Sequence, residues 1–259
     1  MRRPKPMKIM RNLMIAITSA NNIDITRACL KSIPAGPKVI VYDDASTELI
    51  EGLCSEFKVE LKKEDKPKGL TNLWNRAYAD FLSSDFKALL LTNNDLIFPK
   101  GSIEEMLKVF INERPIILGP LSNKPGTGRN QRIGMYLCNI NVDVNDPVNA
   151  QSIQDMLLFS MANKFVYDKY INGFCFMIGR VVDKYRYDAI HLFPPQKINI
   201  GNEDWLCNQI RRRGGNTVGA NFVICLTSFV FHYKGLTTRW CKKTSTKKGV
   251  NRENLWREI

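Results

Sequence analysis

At 259 residues with 44% apolar content, the chain can bury a sizeable core as one α/β domain with a decorated end, or as two small domains. A net charge of +13 calls for an anionic partner (nucleic acid, anionic lipid or a phosphorylated substrate) without choosing among them. No run of about 18 apolar residues is present, so no transmembrane segment is expected, and the basic start Met1-Arg2-Arg3-Pro4-Lys5-Pro6 leads into no apolar stretch of signal-peptide length.

Leu13-Met14-Ile15-Ala16-Ile17-Thr18-Ser19 predicts a first strand, apolar and then polar, turned by Asn21-Asn22. Ile25, Cys29, Leu30 and Ile33 share one helical face, and Pro34 to Pro37 end that helix. Lys38 to Tyr42 predicts a second strand, which runs into Asp43-Asp44-Ala45-Ser46-Thr47. A short helix follows through Leu49, Leu53 and Phe57, then a short strand around Val59 to Leu61. After a charged loop, Leu70, Leu73, Trp74, Ala77, Tyr78 and Phe81 hold helical spacing. Ala88 to Leu91 is a buried strand that stops at Thr92-Asn93-Asn94-Asp95. Pro99-Lys100-Gly101 turns, Ser102 and Glu105 predict a capping box, and Ile116-Ile117-Leu118 is a further strand. The alternation predicts a mostly parallel sheet covered by helices.

Residues 121 to about 170 read as an insertion over the sheet edge, either a binding loop or a passive surface segment, with a helix around Ile153 to Phe165. Asn172 to Arg180 is a strand led in by Gly173. Gly201-Asn202-Glu203-Asp204 opens a helix that Gly214-Gly215 stop. Val218 to Leu226 and Ser228 to Tyr233 predict the last two strands. The tail from Lys234 is basic, with Trp240 and Trp256. The seven cysteines are scattered without a CxxC pair, and there are only two histidines. They argue for reduced thiols in a soluble, cytoplasmic protein and against zinc.

The stretch ending in Asp95 carries the most chemistry. A strand that delivers a carboxylate and two amide oxygens to the carboxyl edge of an α/β sheet places hard donors where ligands bind. Such donors suit Mg²⁺ or Mn²⁺ holding a diphosphate. The alternative is a polar strand-to-helix turn.

Taken in order, these pieces resemble a family 2 glycosyltransferase of the GT-A nucleotide-diphosphosugar-binding fold. The resemblance runs over residues 12 to 235 and rests on Thr18 to Asn21, Asp43-Asp44-Ala45-Ser46, Gly69 to Asn75, and Asn93-Asn94-Asp95 with Pro99 and Gly101. It continues through Gly173, Phe174 and Arg180, Glu203-Asp204, and a last strand ending in His232. Asn-x-Asp in place of Asp-x-Asp resembles a rhamnosyltransferase-like branch, and a narrower similarity is to small soluble glycosyltransferases of large algal viruses. The resemblance implies a single domain with a donor-binding half, 12–120, an acceptor-binding half, 121–235, and a basic tail, 236–259. It also implies inverting transfer from a nucleotide-diphosphosugar, UDP-linked by preference, to a glycan hydroxyl. Asp95 and His232 are then the metal ligands for Mn²⁺ or Mg²⁺. Thr18, Asn21, Asp43, Asp44, Asn75, Asn93, Asn94, Gly173 and Lys234 are the donor contacts, with Asp43 or Asp44 accepting the uracil N3–H.

Asp204 is the implied general base. Each assignment has a plainer alternative: a turn aspartate at Asp43 or Asp44, a helix cap at Glu203-Asp204, a core histidine at His232, and a solvated face for the tail lysines. Two other classes stand beside this reading. A non-catalytic binder of nucleic acid or another polyanion would explain the charge and the tail tryptophans, but no aromatic-rich strand motif or helix-turn-helix pattern supports it. A dinucleotide-binding enzyme lacks the GxGxxG it would need after the first strand.

Overall fold

The structure, a computed structural model, describes residues 9–126, 130–137, 142–197, 201–214 and 222–234. The expected tail strand start, 218–221, and the tail with Trp240 and Trp256 lie outside these residues. In chain order the strands are β1 (Leu13–Ser19), β2 (Lys38–Asp43), β3 (Glu60–Lys63), β4 (Ala88–Asn93), β5 (Leu96–Ile97), β6 (Ile117–Ser122), β7 (Phe165–Tyr167), β8 (Cys175–Ile178) and β9 (Phe222–His232). The helices are α1 (Ile23–Ser32), α2 (Ile50–Glu56), α3 (Leu70–Leu82), α4 (Ser102–Glu113), α5 (Ala150–Ser160) and α6 (Asn202–Arg213).

The sheet order is β3-β2-β1-β4-β8-β6-β9-β5, with β7 also paired to β9. β3, β2, β1 and β4 are parallel neighbours. β8 is inserted antiparallel between β4 and β6, so β6 and β9 again run with β4. The sheet is therefore mostly parallel and mixed at one side. Apolar residues of one strand alternate between two cores, as a sheet buried on both faces requires. Met14 and Ala16 join Leu89 and Leu91 under α3, α5 and α6. Leu13, Ile15 and Ile17 join Ala88 and Leu90 under α1, α2 and α4. Trp74 of α3 anchors the first core against Phe176 and Phe193, ring centroids 5.3 and 5.4 Å away.

Three local expectations are corrected, and one strand is added. α4 has no capping box: its N-cap is Gly101 at φ +92°, and Ser102 is its first helical residue with a buried, unpartnered hydroxyl. Glu105 instead meets Lys108 and the Thr227 hydroxyl. The helix in the insertion is Ala150–Ser160, and Phe165 begins strand β7, which pairs with β9. The last two expected strands are one strand, β9, whose register against β6 slips so that Pro120 faces Cys225 and Leu121 faces Phe229. Finally, Leu96–Ile97 forms a strand that the sequence did not suggest.

Gln154 explains how β9 stays continuous through the slip. It is fully buried; its amide donates to the Thr227 carbonyl at 2.8 Å and its oxygen accepts the Phe229 N–H at 2.8 Å. Cys29, Cys54, Cys175, Cys207 and Cys225 are buried free thiols. Among the described residues no helix is long and apolar enough to cross a membrane. Replacing Gln154 with Leu keeps the volume but orphans two buried backbone groups. Denaturant unfolding should record a loss of about 2–4 kcal/mol; a loss below about 0.5 kcal/mol would mean that the bulge does not need its side-chain bracket.

Candidate active site

Three parallel strands end together. Thr18 pairs with Asn93, and Ser19 with Asp43, so the polar ends of β1, β2 and β4 line one edge. Most of the polar groups predicted there hold one another. The Thr18 hydroxyl donates to the Thr92 carbonyl at 3.3 Å. Asn21 is left-handed at φ 60°; its N–H donates to Ser46 Oγ at 2.6 Å and its side-chain oxygen accepts the Thr47 N–H at 2.8 Å. Asp43 is 0% exposed, with both carboxylate oxygens on Ser46, and burial raises its pKa. Asp44 accepts the Lys68 and Gly69 N–H groups at 2.6 and 3.1 Å, which pins the loop that enters α3. Asn94 donates to the Thr26 hydroxyl at 2.8 Å, beneath the edge. Asn93 is half-buried at the rim.

Asn75, expected among the donor contacts, is bonded to the chain at Phe193. Its oxygen accepts the Phe193 N–H and its amide donates to the Phe193 carbonyl, both at 2.9 Å. It brackets the 193 segment to α3 instead of presenting a free amide at the strand ends.

Asp95 and His232 do come together. β5 pairs antiparallel with the end of β9, Leu96 opposite His232, and the Tyr233 N–H donates to the Asp95 carbonyl at 3.0 Å. This short ladder sets Asp95 Oδ1 3.4 Å from His232 Nε2. Asp95 is 4% exposed and His232 5%. Asp95 Oδ1 is buried without a hydrogen-bond partner. His232 is held on three sides. Its Nδ1 lies 2.7 Å from the Lys124 carbonyl, its backbone N–H donates to Asn123 Oδ1 at 2.8 Å, and its ring stacks on Phe174 at 5.3 Å. A carbonyl oxygen only accepts, so Nδ1 carries the proton. His232 Nε2 then faces a carboxylate oxygen at 3.4 Å. Carboxylate and imidazole donors fit Mn²⁺, and a histidine whose other nitrogen is held by a carbonyl is the usual form of a metal ligand. Among the described residues no cluster of three His, Cys, Asp or Glu side chains could hold a cation unaided. Lys234 follows, exposed at φ 50°, with Nζ 3.3 Å from the Gly126 carbonyl.

The second carboxylate pair opens α6. Gly201 at φ +78° is the N-cap, and Glu203 and Asp204 occupy the first turn. Asn202 ties this end to α3 by accepting the Thr71 hydroxyl at 2.8 Å. Asp204 is exposed, whereas Glu203 is half-buried. Burial pushes the Glu203 pKa up, and Asp204 adds to this; the Gly173 N–H and the Tyr170 hydroxyl pull it back. Gly173 is therefore a seat for Glu203. A Cβ there would lie 2.7 Å from the carboxylate carbon and 2.8 and 2.9 Å from its oxygens. Asn123, Lys124 and Tyr170 were not singled out from sequence, and Phe174 was seen only as part of the Gly173-Phe174 motif. Asn123 acts through its side-chain amide, Lys124 through its backbone carbonyl and Phe174 by ring stacking, contacts that no local pattern marks.

The chain matches glycosyl transferase family 2 over residues 14–180, more than half its length, and belongs to that family. No curated protein matches its sequence. Among solved structures it is similar to GalNAc-T7, crystallised with UDP, GalNAc and Mn²⁺, at TM-score 0.59 and 15% identity. That similarity covers 85% of this chain and 43% of the other. It is also similar to residues 1–349 of S. aureus TarS, at TM-score 0.55 and 10% identity over 92% of this chain and 65% of that one. A mycobacterial protein gives 0.54 and 14% over 96% and 81%. The fold is GT-A. The chain spans less than two thirds of the first two structures.

Gly173→Ala tests the Glu203 seat. The expected result is a folded protein with donor affinity little changed and sugar transfer reduced by about 10²-fold, the usual cost of an ångström of misplacement. Full transfer by the alanine variant would show that Glu203 need not sit where Gly173 puts it.

Proposed function

We propose that this chain transfers a sugar, with inversion, from a nucleotide-diphosphosugar to a hydroxyl of a glycan acceptor, with metal assistance. The observation that carries the reading is Asp95 Oδ1, buried without a hydrogen-bond partner and 3.4 Å from His232 Nε2 at the carboxyl edge of the sheet. Membership of glycosyl transferase family 2 supports the reaction class. A UDP-linked donor is supported by two similar structures, GalNAc-T7 and TarS, that were solved with UDP. The Asn93-Asn94-Asp95 form, with Pro99 and Gly101, supports the rhamnosyltransferase-like branch.

Asp95 and His232 would hold Mn²⁺ or Mg²⁺, and two protein ligands leave further positions for substrate oxygens and water. The cation, when bound, offsets the charge that grows on the departing diphosphate. Residues 12–120 would hold the donor, with Asn93 and Lys234 at its rim and the network of Thr18, Asn21, Asp43, Asp44 and Asn94 shaping the nucleotide floor. Residues 121–235 would hold the acceptor. The acceptor oxygen attacks the anomeric carbon, the bond from that carbon to the diphosphate breaks, and its electron pair leaves with the diphosphate. The hydroxyl proton passes to Asp204. Of the two adjacent carboxylates Asp204 is the exposed one, and on a helix the two point about 100° apart, so one is favoured to face substrate.

The test is donor turnover across UDP, GDP and dTDP sugars with Mn²⁺, in the wild-type chain, Asp204→Asn and Glu203→Gln. Turnover of a UDP-sugar is expected. Asp204→Asn should keep donor binding and lose roughly 10²- to 10⁴-fold in transfer, the worth of a positioned base; Glu203→Gln should be milder. The reverse ranking would move the base to Glu203, and no turnover of any donor would remove the enzymatic reading.

A further inference from the structure

One face of the acceptor half joins the 180–191 segment to α6. A 3₁₀ helix, Arg180–Tyr185, meets the end of α6, where Arg213 donates to the Lys184 carbonyl at 3.2 Å. A tight turn follows. The Tyr187 N–H donates to the His191 carbonyl at 3.0 Å, and Asp188 Oδ1 accepts the Ile190 and His191 N–H groups at 2.9 and 2.8 Å. Tyr187 braces the turn on α6, its ring meeting Trp205 edge-on at 5.7 Å. Trp205 and Arg212, two turns apart, share one side of that helix. This frame presents an apolar tip with cations around it. Ile190 is 67% exposed, Tyr187 43% and Val181 40%. Lys184, Arg211, Arg212 and Arg213 are exposed beside them. The acids of the face are engaged: Asp183 pairs with Arg186 at 3.0 Å, and Asp188 meets the His191 ring at 2.8 Å. Arg180 is occupied by the carbonyls that end α3. Among the described residues no ion pair holds Lys184, Arg211, Arg212 or Arg213.

The geometry points to this face as a docking surface for an anionic lipid bilayer, with Ile190 entering the headgroup layer and the four bases meeting lipid phosphates. Cations at the end of a helix are favoured by its dipole, which accounts for charge in the last turn of α6. The dipole does not account for three apolar side chains held in water beside that charge. A nucleic acid or a soluble polyanion would neutralise the bases and leave Ile190 exposed. A lipid surface takes both: anionic headgroups attract the bases, and the layer beneath them takes the apolar tip. Lys and Arg suit such a boundary, because their stems lie along apolar surroundings while their charged heads stay with the phosphates. The turn is closed by its own hydrogen bonds, so Ile190 is presented without a further ordering cost. Docked this way, the acceptor half faces the bilayer with the opening of α6 close by, since Trp205 follows Asp204 in the chain. Docking of this kind does not depend on Asp204 being the base.

Vesicle flotation with the full chain is the test, using phosphatidylcholine vesicles with and without phosphatidylglycerol and no sugar donor. Binding is expected to the anionic vesicles only, and it should weaken as salt rises. Arg211→Gln combined with Arg212→Gln should weaken it about 25-fold, roughly fivefold for each base near an anionic surface. Ile190→Ser should weaken it about tenfold, the worth of one buried aliphatic side chain. Lys31→Gln combined with Lys87→Gln removes the same charge from exposed positions elsewhere and should leave binding nearly unchanged. All these positions are exposed, so melting temperatures should match the wild type, which separates lost docking from lost folding. No binding to phosphatidylglycerol vesicles, an equal loss in the Lys31 and Lys87 variant, or binding indifferent to Ile190→Ser would each overturn the lipid assignment. A tighter hold on heparin or a single-stranded oligonucleotide, lost with Arg211 and Arg212 and unmoved by Ile190→Ser, would overturn it in favour of a polyanion. Because no donor is present, failure here leaves the transfer reading standing, and a chain that turns over no donor could still dock.

Discussion

The contact between His232 Nδ1 and the Lys124 carbonyl decides what the rest of the edge can do. It uses the one ring nitrogen that could have satisfied the histidine inside the core and leaves Nε2 facing Asp95 Oδ1 across 3.4 Å. Two acceptors so close in a buried place are costly unless a cation lies between them, either a proton on the ring or a metal ion. The arrangement is held from several directions. Asn123 clamps the His232 backbone, Phe174 stacks on its ring, and the two-residue strand β5 sets Asp95 in register with it. A pair held this firmly is preorganised, and a ligand gains affinity because it need not order the groups that bind it.

The neighbouring polar residues serve the same end less directly. Asp43 and Asn21 satisfy backbone N–H groups of the turn after β2, Asp44 those of the loop that enters α3, and Asn94 holds the Thr26 hydroxyl. The motif residues at the strand ends thus build the floor, and Asn93, Asp95, His232 and Lys234 are the ones proposed to meet the donor and its cation. The second carboxylate centre, at the start of α6, is assembled by a different part of the chain. Gly173 makes room for Glu203, and Asn202 locks the helix start to Thr71 of α3. Asn75 fastens Phe193 to the same helix. α3 therefore joins the strand-end floor to the acid pair, and Asp44 pins the loop that leads into it.

Periodicity and breakers made the doubly covered sheet legible in the sequence, because parallel strands and amphipathic helices carry their pattern locally. The α3 face and the strand that ends at Asp95 are examples. What was not legible depends on partners distant in sequence. β5 has two residues and exists only because β9 lies beside it. The slip in β9 is tolerated because Gln154, about 73 residues earlier, brackets it. A serine and a glutamate three residues apart read as a capping box, yet Gly101 takes the cap, and Glu105 finds Lys108 and Thr227 instead. Asn75 and Gly173 show the same limit within the site. Their residue types and positions were visible, but a polar motif residue that braces a loop cannot be told from one that meets a ligand until its partners are seen.

The claim that most of this depends on is that Asp95 and His232 together hold a divalent cation. Pulsed electron paramagnetic resonance on the full chain with Mn²⁺ and UDP tests it most directly. The account predicts a nitrogen-14 coupling to Mn²⁺ from one imidazole, present in the wild-type protein and absent in His232→Gln, with Mn²⁺ affinity also lost in Asp95→Ala. A Mn²⁺ complex without nitrogen coupling, or one unchanged by His232→Gln, would contradict it.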